Sequence, residues 1–129
     1  MSRSLWIASA DALLIVTHEY NCSMPGVLKN AIDWASRPPS RPFDGKPVAM
    51  MRASPGMLGT ARAQHHLRQN CVFLNMHVLN RPEVMIGHCH ERFGAEGRLT
   101  DEKSRKIVAE LLAALGAWTR RLRTNHSNR

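Results

Sequence analysis

Ala12-Leu13-Leu14-Ile15-Val16-Thr17-His18-Glu19-Tyr20-Asn21-Cys22-Ser23-Met24-Pro25-Gly26, running on into Val27-Leu28-Lys29-Asn30-Ala31-Ile32-Asp33-Trp34, decides the fold. The apolar run from Ala12 to Val16 is short and aliphatic, the pattern of a strand buried on both faces. Pro25 and Gly26 stop that strand. Beyond them Val27, Leu28, Ala31, Ile32 and Ala35 recur at helical spacing, which predicts a helix from Pro25 to Ser36. A buried strand that passes through a polar turn into a helix is an α/β unit. In an open parallel sheet the crevice lies at the carboxyl ends of the strands, so Glu19, Tyr20 and Asn21 stand at the mouth of a site.

Outward from this unit the alternation continues. Arg37-Pro38-Pro39-Ser40-Arg41-Pro42 reads as a stiff surface loop. Lys46 to Met51 reads as a second strand, and about Gly59 to Leu74 as a helix with Ala61, Leu67 and Val72 toward the sheet. Asn75 to Leu79 reads as the last strand, with Val84-Met85-Ile86 extending it past Pro82. From Asp101 to Leu122, apolar residues at Ile107, Leu111, Leu115, Trp118 and Leu122 predict an amphipathic helix that covers one face of the sheet. A chain of 129 residues with 43% hydrophobic content suits one domain.

Three blocks of residues carry a resemblance. Glu19-Tyr20-Asn21 with Ser23, Pro25-Gly26, Leu28-Lys29-Asn30-Ala31 and Asp33-Trp34 resembles the flavin-contacting segment of the NADPH-dependent FMN reductase family, which has the flavodoxin-like fold and includes chromate and quinone reductases. Ala53-Ser54-Pro55-Gly56, Gly59-Thr60-Ala61-Arg62-Ala63-Gln64 and Leu67-Arg68-Gln69 are similar to its second flavin-side loop and following helix. Asn80-Arg81-Pro82-Glu83-Val84 resembles the segment after its last strand. The sequence departs from the family at His18, where Pro is usual, and at Cys22, where an aromatic is common.

The resemblance implies a flavodoxin-like three-layer α/β sandwich around a parallel sheet. It also implies bound FMN, NADPH or NADH as co-substrate, and electron delivery to a quinone, a metal oxyanion or another small acceptor. The flavin would carry the chemistry, so no catalytic side chain is expected. Glu19, Tyr20 and Asn21 would approach the isoalloxazine with backbone amides and the Asn21 side chain, while Ser54 and Gly56 would line its other edge. Arg62, His65 and Glu83 fall in segments that build subunit contacts, which implies a homo-dimer or tetramer.

Family members begin with a strand and a Gly/Ser/Arg-rich loop that holds the FMN phosphate, whereas Met1 stands a few residues before the match to their third strand. The expectation is therefore one partial domain, 1–129, lacking the first two strands and the phosphate loop. The deficit is roughly 50 residues, since one strand-helix-strand unit takes about 30. In the strand order 2-1-3-4-5 this leaves an unpaired edge along Leu13–Thr17. It also raises an alternative to the enzyme: an inactive remnant, or an interaction module that pairs with an intact paralogue.

Lys and Arg number 18 against 10 Asp and Glu, a formal charge of +8. Such a charge attracts anions, yet no nucleic-acid module is present and Arg120, Arg121, Arg123 and Arg129 crowd the C-terminus, where a helix end and a solvated tail favour them. Cys22, Cys71 and Cys89 lack paired spacing and no secretory leader precedes them, which points to a reducing cytoplasm. No apolar run reaches the ~20 residues needed to cross a bilayer. His88, Cys89 and His90 invite a metal reading, because an extended segment would place both histidines on one face, but their spacing matches no closed zinc motif and no metal is expected.

Overall fold

The computed structural model describes residues 3–56 and 61–127. A short helix, α1 (Arg3–Ser9), leads into β1 (Leu13–Val16). Then follow α2 (Gly26–Ala35), β2 (Pro47–Ala53), α3 (Ala61–Phe73), β3 (His77–Val78), β4 (Val84–Ile86) and the long α4 (Glu102–Ser127). A single 3-10 turn at Cys89–Glu91 interrupts the loop before α4.

All strand pairs are parallel, and β2 is the centre of the sheet. β1 lies on one side of it, in register Leu13↔Val48 through Val16↔Met51. On the other side β3 pairs with Pro47 and Val48, and β4 with Met51 to Ala53, so the two form one interrupted strand. The extension past Pro82 read from the sequence is thus present, although β3 is only 2 residues long. Because side chains alternate along a strand, β2 feeds two cores. Val48 and Met50 meet Ile32 of α2, Leu67 and Cys71 of α3, Met24, Phe43 and Met76. Ala49 faces Leu111 and Leu115 of α4 together with Val84 and Ile86. Helices on both faces of a parallel sheet make the three-layer sandwich.

Several expectations need correction. β1 is not buried on both faces: Leu13 to Ile15 are half-buried and Val16 is 59% exposed. Among the described residues nothing pairs with its outer edge, so the strand lacks one neighbour's cover. In α2 the face toward the core is Leu28, Ile32 and Ala35, while Val27 and Ala31 point outward. In α3 the buried positions are Ala63, Gln64, Leu67 and Cys71. Ala61 is exposed and Val72 is 79% exposed, one residue and about 100° of helix beyond Cys71. The start of the expected helix, at Gly59 and Thr60, lies outside the described residues.

The α4 reading holds: Leu111 and Leu115 are buried, and Ile107, Trp118 and Leu122 partly so. Asp101 starts this helix, with Oδ2 accepting from the Ser104 amide at 2.9 Å and the Ser104 hydroxyl at 2.7 Å, a capping arrangement that satisfies an otherwise unpaired donor. Its other oxygen accepts from Arg92 Nη1 at 2.6 Å. These bonds hold the Asp101 carboxyl down at about 2. At the opposite end of the sheet Gly45, at φ 66, turns the chain into β2 and donates its amide to the Asn75 carbonyl at 2.9 Å. Glycine takes that backbone region without steric strain.

Candidate functional site

Two loops leave the carboxyl ends of β1 and β2 side by side. Thr17 N still donates to the Met51 carbonyl at 3.3 Å, and from there the first loop rises off the sheet. It closes on itself: Tyr20 N donates to Ser23 O at 3.0 Å and Ser23 N to Tyr20 O at 2.9 Å. The two residues enclosed, Asn21 and Cys22, have φ of 49 and 62. Positive φ at both central residues is the pattern of a type I′ turn, which Asn tolerates better than most residues. Tyr20 and Asn21 are exposed at the apex, and neither side chain hydrogen-bonds to a described residue. The Tyr20 ring meets His18 edge-on at 4.3 Å.

α3 grips this turn from outside. Arg62 Nη1 donates to Cys22 Sγ at 2.9 Å, and Ser23 Oγ lies 2.8 Å from His66 Nδ1. Arg62 and His66 are four residues apart and so share one helix face.

Glu19 turns inward instead. Its Oε2 accepts from the Ala63 amide at 3.1 Å, where the first turn of a helix has spare donors and a partial positive charge. The same oxygen lies 3.6 Å from Nη1 of Arg52, whose side chain has no exposed surface. Alternation along β2 puts Arg52 in the column of Val48 and Met50, at the end nearest the loop. Burial lowers its pKa from 12.5 to about 10, with the charge of Glu19 opposing the shift. Arg52 therefore remains a cation at neutral pH.

The second loop is built around Ser54. Its amide donates to Ile86 O at 2.8 Å and its carbonyl accepts from Cys89 N at 3.0 Å. Its hydroxyl accepts from the Gly56 amide at 3.1 Å. The Ser54 hydroxyl is thus occupied within the turn and buried, while Gly56 is exposed with no side chain on its outer face.

The structure brings the five sequence-derived positions to the same end of two adjacent strands, with differing exposure: Tyr20, Asn21 and Gly56 outward, Glu19 and Ser54 inward. Arg52 was not singled out from the sequence, and His66 drew notice there only as one of the histidines in the metal reading. One signal was available for Arg52, a lone charge inside the otherwise apolar strand Pro47-Val48-Ala49-Met50-Met51-Arg52-Ala53.

The metal reading of His88 and His90 rested on an extended segment. The chain there is instead a left-handed residue, His88 at φ 48, followed by the 3-10 turn. The two rings sit 6.3 Å apart edge to face, and among the described residues no group of three His, Cys, Asp or Glu converges on a metal position.

The parallel sheet with helices packed on both faces defines a flavodoxin-like protein. Residues 6–91 match the model of the NADPH-dependent FMN reductase family, and the chain belongs to that family. It is 62% identical over 117 residues to an NAD(P)H-dependent FMN reductase of Pseudomonas aeruginosa, covering 91% of this chain and 63% of that protein. It is 50% identical over 115 residues to a 2-hydroxy-1,4-benzoquinone reductase of a Burkholderia species, covering 88% of this chain and 63% of that protein. Among solved structures it resembles the flavoenzyme NAD(P)H:(acceptor) oxidoreductase FerB of Paracoccus denitrificans, with a TM-score of 0.82 and 38% identity over 92% of this chain and 65% of that one. The chain thus spans a little under two thirds of the length of these relatives.

Proposed function

We propose that this chain contributes the ring-binding half of an NAD(P)H-dependent FMN reductase, which passes electrons from NADPH or NADH through FMN to a quinone or a similar small acceptor. The observation that carries this reading is the Tyr20–Ser23 turn, whose exposed Tyr20 hydroxyl and Asn21 amide have no hydrogen-bond partner among the described residues. At the carboxyl end of the adjacent strand stands Gly56, exposed and without a side chain. Bound FMN supplies the hydride and electron transfer. The chain's own residues bind and orient the ring: Glu19, Tyr20 and Asn21 through the first loop, Ser54 and Gly56 through the second. Ser54 acts by shaping its turn, since its hydroxyl is taken by Gly56.

The same reading takes the protein to be a cytoplasmic homo-oligomer. Val27 and Trp34 on α2 and Val72 and Phe73 on α3 are exposed apolar residues that suit contact with a second subunit. No helix of the described residues is long and apolar enough to cross a membrane, and the three cysteines are free.

Titration of the purified chain with FMN, followed by NADPH without oxygen, tests the proposal. Quenching of flavin fluorescence and bleaching of the bound flavin are expected. Failure to quench FMN at high micromolar protein would refute flavin binding by this chain.

A further inference from the structure

The central strand of a sheet covered by helices on both faces is an adverse place for an arginine. Arg52 sits near the carboxyl end of β2, the central strand, opposite Met85 of β4 and 1% exposed. Its Nε, Nη1 and Nη2 find no hydrogen-bond partner among the described residues. A buried cation of this kind is destabilising unless something compensates it, and an apolar side chain of similar volume would serve packing better. The column it belongs to, Val48 and Met50, consists of such side chains. Shape alone does not account for an arginine here. Charge does: the anion beside it is Glu19, 3.6 Å away and itself only 15% exposed.

Glu19 is the residue immediately before the Tyr20–Ser23 turn, and its carboxylate is tied to Ala63 at the first turn of α3. Without a cation behind it, a carboxylate so far withdrawn from water gains by swinging outward to be solvated. Swinging out would carry the turn with it. With Arg52 fixed in the most constrained strand of the sheet, attraction in a poorly screened interior holds the carboxylate in place.

We propose that Arg52 is a positioning residue for the flavin loop: from inside the sheet it pins Glu19 to the start of α3, and through Glu19 it keeps the Tyr20–Ser23 turn in its binding shape. The inference rests on the flavin reading only for its functional consequence. The pinning itself is a property of the chain alone.

The test uses the full chain with Arg52→Met and Arg52→Lys, and two readouts. The first, without flavin, is hydrogen exchange of the Tyr20, Ser23 and Ala63 amides by NMR. In Arg52→Met these amides should exchange about tenfold faster while those of β2 keep their protection, and Arg52→Lys should restore most of the difference. The second is FMN affinity, expected to fall about tenfold in Arg52→Met and little in Arg52→Lys. A residue that merely fills space would show no rescue by lysine.

If Arg52→Met does not fold, the double variant Arg52→Met/Glu19→Gln leaves neither charge uncompensated and should show the same loosened turn. Wild-type exchange at the three amides, in Arg52→Met or in the double variant, overturns the proposal. Wild-type protein that takes no FMN at all defeats the flavin reading, while the exchange experiment still decides the role of Arg52.

Discussion

The Glu19 carboxylate and the Ala63 amide, 44 residues apart in sequence, meet at 3.1 Å and join the loop after β1 to the first turn of α3. Glu19→Ala removes a helix-start acceptor and leaves Arg52 a buried charge without its anion. The expected loss is about 3 kcal/mol of folding stability, part from the cap and most from the orphaned cation. Urea denaturation measures it as a lower midpoint.

The orientation of α3 can be read by paired substitutions. Leu67 has no exposed surface and Val72 is 79% exposed. Leu67→Ala should cost about 2–5 kcal/mol, whereas Val72→Ala should stay within about 0.5 kcal/mol of wild type. Equal effects at the two positions would mean that the helix is turned differently on the sheet.

Asn21 combines a positive φ of 49 with an exposed amide. Asn21→Gly preserves the turn and removes only the amide, so the FMN dissociation constant should rise about three- to tenfold, the loss of one hydrogen bond. Asn21→Ala should weaken binding further because alanine resists that backbone region. Fluorescence titration separates the two, and equal affinity in all three proteins would remove Asn21 from the site.

Asp101 sets an acid limit on α4. Its folded carboxyl titrates at about 2, below the ordinary 3.8. The stabilisation is therefore complete above about pH 4 and is lost as pH falls through about 2. Asp101→Ala should melt at a lower temperature than wild type at neutral pH, and the gap should close progressively below pH 4. Calorimetry across that range checks the sign.

The three thiols should separate by accessibility. Cys22 is exposed, Cys89 half-buried and Cys71 buried. Burial pushes the Cys71 thiol up to about 11, so it is both shielded and protonated. A thiol reagent at pH 8 should label Cys22 first and Cys71 only on unfolding; early labelling of Cys71 would contradict the core packing around it.

Much of the architecture was legible from periodicity. The spacing of Ile107, Leu111 and Leu115 located the covering helix, and Val84 to Ile86 was read correctly as a continuation of the last strand. Three blocks in order, around Glu19, Ser54 and Pro82, carried the family. The outward turn of Val27 and Val72 was not legible. Both are valines at helical spacing, and only the rotation of each helix against the sheet decides which apolar residue meets the core. Helix α1 was likewise missed, because its end is held from far along the chain: Lys46 Nζ donates to Ala8 O in its last turn at 3.0 Å and to Ala10 O just beyond it at 2.6 Å.

The sequence by itself determined the order of strands and helices and which loops leave the carboxyl ends of the strands, since those follow from patterns a few residues long. Tertiary structure alone decided what Glu19, Ser54 and Arg52 do there. Whether a polar side chain faces solvent or a neighbour depends on which elements converge on it. At Glu19 three do: its own loop, the central strand through Arg52 and the start of α3 through Ala63. Burial and charge pairing at that junction arise from contacts between distant segments, which no local pattern encodes.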